Sequence, residues 1–181
     1  MGLRFRLNDN PCAFFITTTV VEFSKIFTRE SFLGVLAESL NFCIKKYDCK
    51  LLAYVFMPTH IHLVVWPQEG STVSDFMRDF KKFTSKRIKD RLKTEKHPLL
   101  KVFQAAATGY KNQEFKLWMD RFDCVAVYTK EVLDTKVNYI HYNPVEAGLA
   151  TKPEDWKYSS AAAYTLDEQS PIPVDVNFYP L

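Results

Sequence analysis

The stretch KLLAYVFMPTHIHLVVW, residues 50–66, decides the fold because it contains two apolar strand patterns on either side of a three-residue turn. β-Branched and aromatic residues dominate both patterns, and Pro58 stands between them. Such runs bounded by a turn signal are typical of paired strands. The stretch therefore predicts an antiparallel hairpin made of strands 50–56 and 60–66.

The second strand of this hairpin carries two histidines, His60 and His62, one residue apart. Alternate side chains of a strand share a face, so both imidazoles lie on the same side as Val64 and Trp66. The apolar residues between them face the opposite layer: Ile61, Leu63 and Val65. Two imidazoles on one face can bind one metal ion, although an isolated pair is also compatible with two polar residues beside a core. The metal interpretation needs a third ligand.

A candidate third ligand lies in VNYIHYNPVEAGL, residues 137–149. Tyr139 and Asn143 are four residues apart, which places them one turn apart on one face of a helix. The Asn143 amide oxygen suits a hard cation, and a neighbouring tyrosine hydroxyl can act as a nucleophile. Ordinary packing and capping at a helix end is the alternative for both residues.

The segments around the hairpin complete the order β-α-β-β-α-β-α. Residues 13–23 and 121–128 predict further strands, because β-branched and aromatic residues are frequent in both. Three segments predict helices from their periodicity and capping residues: 28–47 capped by Thr28, 71–92 capped by Ser71 or Ser74, and 129–143 capped by Thr129. A short helix is expected at 159–164, a long loop at 93–117 and an irregular tail over 166–181.

The predicted helix 129–143 should end or bend at Pro144 and bury Val132, Val137 and Ile140. The element order predicts an α+β fold, with helices packed on one antiparallel sheet. We expect one domain over 1–181, with its core at about 12–165.

Composition restricts the class of protein. The chain has 181 residues, 47% of them hydrophobic, which suffices for one globular core. It contains neither an apolar run of membrane-spanning length nor a recognisable signal peptide, and its four cysteines are scattered. These features predict a cytoplasmic protein with reduced thiols and no membrane partner.

Basic residues are concentrated in 78–101, where ten Lys or Arg face three acidic residues. The asymmetry suggests a polyanionic partner, although lysine-rich solvated helix faces are common. Four lysines of the predicted helix are candidates for contacts with DNA phosphates: Lys81, Lys82, Lys86 and Lys89. Phe103 and Tyr110 in the following loop are candidates for stacking on unpaired bases.

Several motifs together resemble the REP-associated tyrosine transposases, which belong to the single-tyrosine HUH (IS200-like) transposases. The resemblance covers about residues 12–165 and rests on four features in order: MPTHIHLVVWP (57–67), a Phe- and Lys-rich helix, LWMDRFD (117–123), and NYIHYNPVEAGLATKPEDWKYSSAAAY (138–164). It implies a ferredoxin-like or RRM-like sandwich acting on single-stranded DNA ends folded into imperfect hairpins, as a monomer or a homodimer.

The same resemblance implies a role for each site residue. His60 and His62 match the two histidines that hold a divalent ion, Mg²⁺ or Mn²⁺, and Asn143 matches the polar residue that completes the metal site. Tyr139 matches the nucleophile that attacks a DNA phosphate and stores the bond as a 5′-phosphotyrosine.

One stretch departs from the family pattern. An Asp–His pair and an arginine are expected where this chain has FDCVAVYTK, residues 122–130; Asp123 is retained, while Cys124 and Tyr128 occupy that neighbourhood. Hairpin recognition is therefore expected to differ. Two alternatives stay open: a domesticated DNA-hairpin-binding protein that no longer mobilises DNA, and an unrelated metal enzyme, such as a phosphoesterase or a cupin, in which Tyr139 has no role.

Overall fold

The computed structural model describes residues 12–166 and 170–177. Its strands and α-helices follow in chain order: β1 (Ala13–Thr19), α1 (Glu30–Lys46), β2 (Cys49–Phe56), β3 (His60–Pro67), α2 (Val73–Thr94), α3 (Leu99–Ala105), β4 (Asp123–Val127), α4 (Lys130–Glu146) and α5 (Ala161–Thr165). Two single 3₁₀ turns, Val21–Phe23 and Pro153–Asp155, lie between them.

The four strands form one sheet in the order β2-β3-β1-β4, and every neighbouring pair is antiparallel. β1 and β3 are therefore central, joined to the outer strands by the hairpin β2–β3 and by crossovers. This arrangement confirms the predicted α+β fold with an antiparallel sheet and packed helices.

The two faces of the sheet carry separate apolar cores. On one face, alternate residues of β3 pack with the buried sides of α1 and α2: Ile61, Leu63 and Val65 with Phe32, Leu36, Phe76 and Phe80. On the other face, Val64 and Trp66 pack with α4. The predicted alternation of β3 is confirmed, and the histidines lie on the α4 side.

Two predicted helix starts are wrong by one or two residues. The N-cap of α1 is Arg29 rather than Thr28. The N-cap of α2 is Thr72, whose hydroxyl accepts a hydrogen bond from the Asp75 N–H at 3.1 Å. The serine directly before it does not cap the helix because its hydroxyl donates to the Tyr47 carbonyl, at 2.5 Å.

The loop predicted over 93–117 contains the short helix α3. Its seven residues are too few for the periodicity to stand out in the sequence. Phe103 is fully buried and packs edge to face against Phe115 at 5.5 Å, so its predicted role in stacking on DNA bases is wrong. Tyr110 is partly exposed, and its hydroxyl donates to Asp120 at 2.7 Å.

Helix α4 continues past Pro144 to Glu146. It ends where Gly148 adopts a left-handed φ of 67°, and the Gly148 and Leu149 N–H groups donate to the carbonyls of Val145 and Pro144. This pair of hydrogen bonds is the Schellman pattern of a helix C-terminus. Glycine rather than proline therefore sets the end of α4.

The buried face of α4 differs from the prediction at one position. Val132 is exposed, and the neighbouring Leu133 packs into the core with Val137 and Ile140. The four cysteines are free thiols, buried except for Cys124.

Part of the predicted irregular tail packs along β2. Ile172 is buried, and the Asp175 N–H donates to the Leu51 carbonyl at 2.8 Å. The rest of that tail, at 167–169 and 178–181, lies outside the described residues, as do residues 1–11, on which the signal-peptide prediction depends. No helix in the described ranges has both the length and the apolar character to cross a membrane.

Candidate active site

Two central strands place the histidine pair on the α4 face of the sheet. β3 pairs with β1 so that His62 lies opposite Thr17 and His60 lies opposite Thr19. The two imidazole rings approach to 4.8 Å between centroids at an interplanar angle of 73°. The two histidines, predicted to share one face of the strand, therefore lie with their rings in contact.

Threonine hydroxyls orient both rings. His62 Nδ1 lies 2.8 Å from the Thr17 hydroxyl, and His60 Nδ1 lies 2.9 Å from the Thr59 hydroxyl. With the ring proton on Nδ1, His62 donates to Thr17 and keeps the lone pair of Nε2. The Nε2 atom of His62 is buried and has no hydrogen-bond partner among the described residues.

Burial keeps both rings neutral. It lowers the pKa of His62 to about 3, and a positive charge on His60 or Lys136 lowers that pKa further. Burial also lowers the pKa of His60, and a hydrogen bond with the Asn143 side chain partly opposes that shift. At neutral pH both imidazoles therefore present lone pairs, which is the form that binds a metal ion.

Helix α4 brings the other two predicted site residues to the histidines of the same chain. The Tyr139 ring lies 5.2 Å from the His62 ring at an angle of 70°, and 45% of the residue is exposed to solvent. Asn143 follows one turn later and adjoins His60. Phe15 of β1 supports the group, stacked on His62 at 5.5 Å and edge to face with Tyr139 at 5.9 Å.

The residues of this cluster fit a divalent metal ion. The buried Nε2 atom of His62 lacks any other partner in the described structure, and the Asn143 amide supplies an oxygen donor close to His60. Within the described ranges no group of three His, Cys, Asp or Glu side chains could hold a metal. An ion at this position would therefore take an amide as its third protein ligand.

The four predicted DNA-binding lysines lie on α2, which packs on the face of the sheet opposite to the histidines. Two of them have protein partners: Lys81 donates to the carbonyls of Met119 and Asp120, and Lys89 pairs with Glu114 at 3.2 Å. Lys82 and Lys86 are exposed. The structure therefore does not bring these lysines to the cluster around Tyr139.

Sequence reasoning missed four residues of this cluster: Phe15, Thr17, Thr59 and Lys136. The first two pair with β3 across 45 or more residues, which no local pattern reveals. Lys136 could have been found from the sequence, because it stands one turn before Tyr139 on the same predicted helix.

The family described as "Transposase IS200 like" matches residues 15–143, a range that includes all four predicted site residues. No protein of curated function matches the chain.

Two solved structures share the fold. One is a REP-associated tyrosine transposase bound to a REP hairpin, with a TM-score of 0.67 and 21% identity over 99% of this chain and 95% of that one. The other is a protein from Deinococcus radiodurans R1 described as a candidate transposase, with a TM-score of 0.50 and 16% identity over 77% of this chain and 95% of that one.

Proposed function

The chain belongs to the IS200-like transposase family, and we propose that it nicks and rejoins single-stranded DNA at hairpin-bearing ends through Tyr139. His60, His62 and Asn143 would hold a divalent metal ion, Mg²⁺ or Mn²⁺. One observation carries the proposal: the Tyr139 ring lies beside the buried His62 ring of the same chain, and the Nε2 atom of His62 has no other described partner.

The protein's part in metal binding is to orient the two imidazoles. Thr17 holds Nδ1 of His62 and Thr59 holds Nδ1 of His60. The Nε2 atom of His62 is left without a described partner, while the His60 ring also contacts the Asn143 side chain. A bound ion would polarise the scissile phosphate as a Lewis acid. Imidazole ligands favour Mn²⁺ over Mg²⁺ in affinity, whereas the ion that is more abundant in the cell can occupy the site despite that preference.

Tyr139 supplies the nucleophile. Its phenolic oxygen would attack the phosphorus, the bond to the 3′ oxygen would break, and the strand would stay attached as a 5′-phosphotyrosine. The partly exposed side chain can pass its proton to water. A free 3′-hydroxyl later reverses the attack and releases Tyr139, so no nucleotide cofactor is required.

Hairpin DNA is the proposed substrate because a structure of the same fold holds a REP hairpin. The lysines of α2 would contact the DNA backbone away from Tyr139, on the other face of the sheet. Within this group Lys82 and Lys86 are the exposed members, while Lys81 and Lys89 already contact protein atoms.

The test is a search for the covalent adduct. Hairpin-bearing single strands with randomised flanks are incubated with the protein and Mn²⁺, and adducts that survive denaturation are captured and sequenced. We expect an adduct with the wild type, none with Tyr139→Phe, and loss in His60→Ala. Tyr142→Phe is the matched control, because this exposed tyrosine stands three residues later on α4.

Two outcomes would contradict the proposal. An adduct that persists in Tyr139→Phe would refute the nucleophile. Binding to hairpins without an adduct under any divalent ion would favour the domesticated hairpin-binding protein.

A further inference from the structure

A lysine stands beside the candidate nucleophile. Lys136, Tyr139 and Asn143 follow one another at intervals of three and four residues along α4, so they form one stripe on the helix surface. The last two face the histidines, and Lys136 extends the stripe by one turn toward the N-terminus of α4.

The ammonium group of Lys136 lies against the same aromatic ring that supports the site. Its Nζ atom is 4.7 Å from the centroid of Phe15. That ring stacks on His62 and meets Tyr139 edge to face. Phe15 therefore connects a cation, the candidate nucleophile and a candidate metal ligand.

The charge of Lys136 is not neutralised by a described carboxylate. No acidic side chain in the described ranges comes within 4.0 Å of Nζ, and the residues three and four positions away on the helix are all uncharged: Val132, Leu133, Tyr139 and Ile140. Lys130 on the same helix differs, because it pairs with Asp134 at 2.5 Å. The neutral histidines leave Lys136 as the positive side chain in contact with this cluster of rings.

A half-buried cation beside neutral groups is suited to bind an anion. We propose that Lys136 binds a non-bridging oxygen of the DNA phosphate that Tyr139 attacks. This inference rests on the proposed function. The lysine would hold the phosphate near the phenol and stabilise the negative charge that its oxygens gain during attack.

The competing role is structural, with Lys136 only packing on Phe15 through a cation–π contact. Lys136→Met separates the two roles because methionine keeps a flexible apolar stem over the ring and removes the charge. Lys136→Arg restores a charge, and Lys130→Met is the matched control on the same helix.

The readouts use the hairpin strand selected by covalent capture. Adduct formation is timed at saturating DNA, and binding is measured against salt in a Tyr139→Phe background, where no bond forms. We expect Lys136→Met to slow adduct formation roughly 10- to 100-fold and to reduce the slope of log affinity against log salt by about 0.7. Lys136→Arg should recover much of the rate, and Lys130→Met should match the wild type.

A rate and a salt slope equal to wild type in Lys136→Met would overturn the inference while leaving Tyr139 as the nucleophile. A wild type without any adduct would instead overturn the proposed function, and the salt slope, measured on a hairpin strand selected by binding, would then still decide whether Lys136 binds a phosphate. If Lys136→Met lowers the thermal midpoint, Lys136→Gln, which also lacks the charge, supplies the same comparison.

Discussion

Thr17→Val tests how the protein prepares His62. The Thr17 hydroxyl lies 2.8 Å from Nδ1 of a ring that is only 4% exposed, and Nε2 of that ring already lacks a partner in the described structure. Valine has nearly the same shape and suits a strand, so the substitution removes little except this hydrogen bond.

The expected cost follows from leaving a buried polar atom unpaired. Loss of the bond should lower the free energy of unfolding by about 1–3 kcal/mol, and each kcal/mol lowers Tm by about 2–4 °C in a chain of this size. The imidazole also loses the contact that fixes its tautomer and orientation. We therefore expect Mn²⁺ affinity to fall by about 10- to 100-fold.

Thr18→Val is the matched control on the same strand. Its hydroxyl is buried on the opposite face and has no hydrogen-bond partner among the residues described. Removing that hydroxyl should leave stability unchanged or raise it by about 1 kcal/mol, with no effect on the metal.

Differential scanning calorimetry without metal measures the stability of both variants, and isothermal titration with Mn²⁺ measures the affinity. Mn²⁺ affinity equal to wild type in Thr17→Val, or the same effect of both substitutions on Tm, would contradict this role of Thr17.

Three further predictions concern stability. Gly148→Ala should lower the free energy of unfolding by about 1 kcal/mol in a urea titration, because a φ of +67° is strained for a residue with a Cβ. The added Cβ would contact no neighbouring atom, so no steric clash adds to this cost. An unchanged midpoint would contradict the left-handed helix end. Burial lowers the pKa of Lys81 to about 8 in the folded protein. Above that pH the folded protein loses this proton while the unfolded chain keeps it, so the free energy of unfolding should rise between about pH 8 and 10. Lys81→Met should remove the rise, and a rise that persists would contradict this assignment. Hydrogen bonds from Lys46 and Tyr47 lower the pKa of Asp79 to about 2, so this carboxylate stabilises the fold above about pH 4 and loses the effect as pH falls toward 2. Asp79→Asn should reduce the acid dependence of Tm, and an acid dependence equal to that of the wild type would show that another group causes it.

Local pattern was enough to predict the sheet and the position of the histidines. The alternation of β3 decides which residues face α4, and a period of two cannot be shifted by one residue without exposing Ile61, Leu63 and Val65. The end of α4 was predicted too early, at Pro144. A proline in the last turn removes only one backbone donor, so the helix can continue past it to Glu146. Gly148, four residues after the proline, satisfies the final carbonyls.

Non-local contacts account for what the sequence did not reveal. The partner of His62 lies 45 residues earlier on β1, and Phe15 reaches the cluster only through the same strand pairing. For the lysines of α2, the sequence revealed the positive charge but not the face of the sheet on which the helix packs. Only the packing of α2 against the face opposite to the histidines separates them from Tyr139.

Tandem mass spectrometry of the trapped adduct identifies directly whether Tyr139 forms the covalent bond to DNA. Trypsin cleavage after Lys136 and Lys157 yields a peptide, 137–157, that contains both Tyr139 and Tyr142. Fragment masses then show which phenol carries the nucleotide. We expect a 5′-phosphonucleotide on Tyr139; a nucleotide on Tyr142, or on any other residue, would contradict the assignment of Tyr139 as the nucleophile.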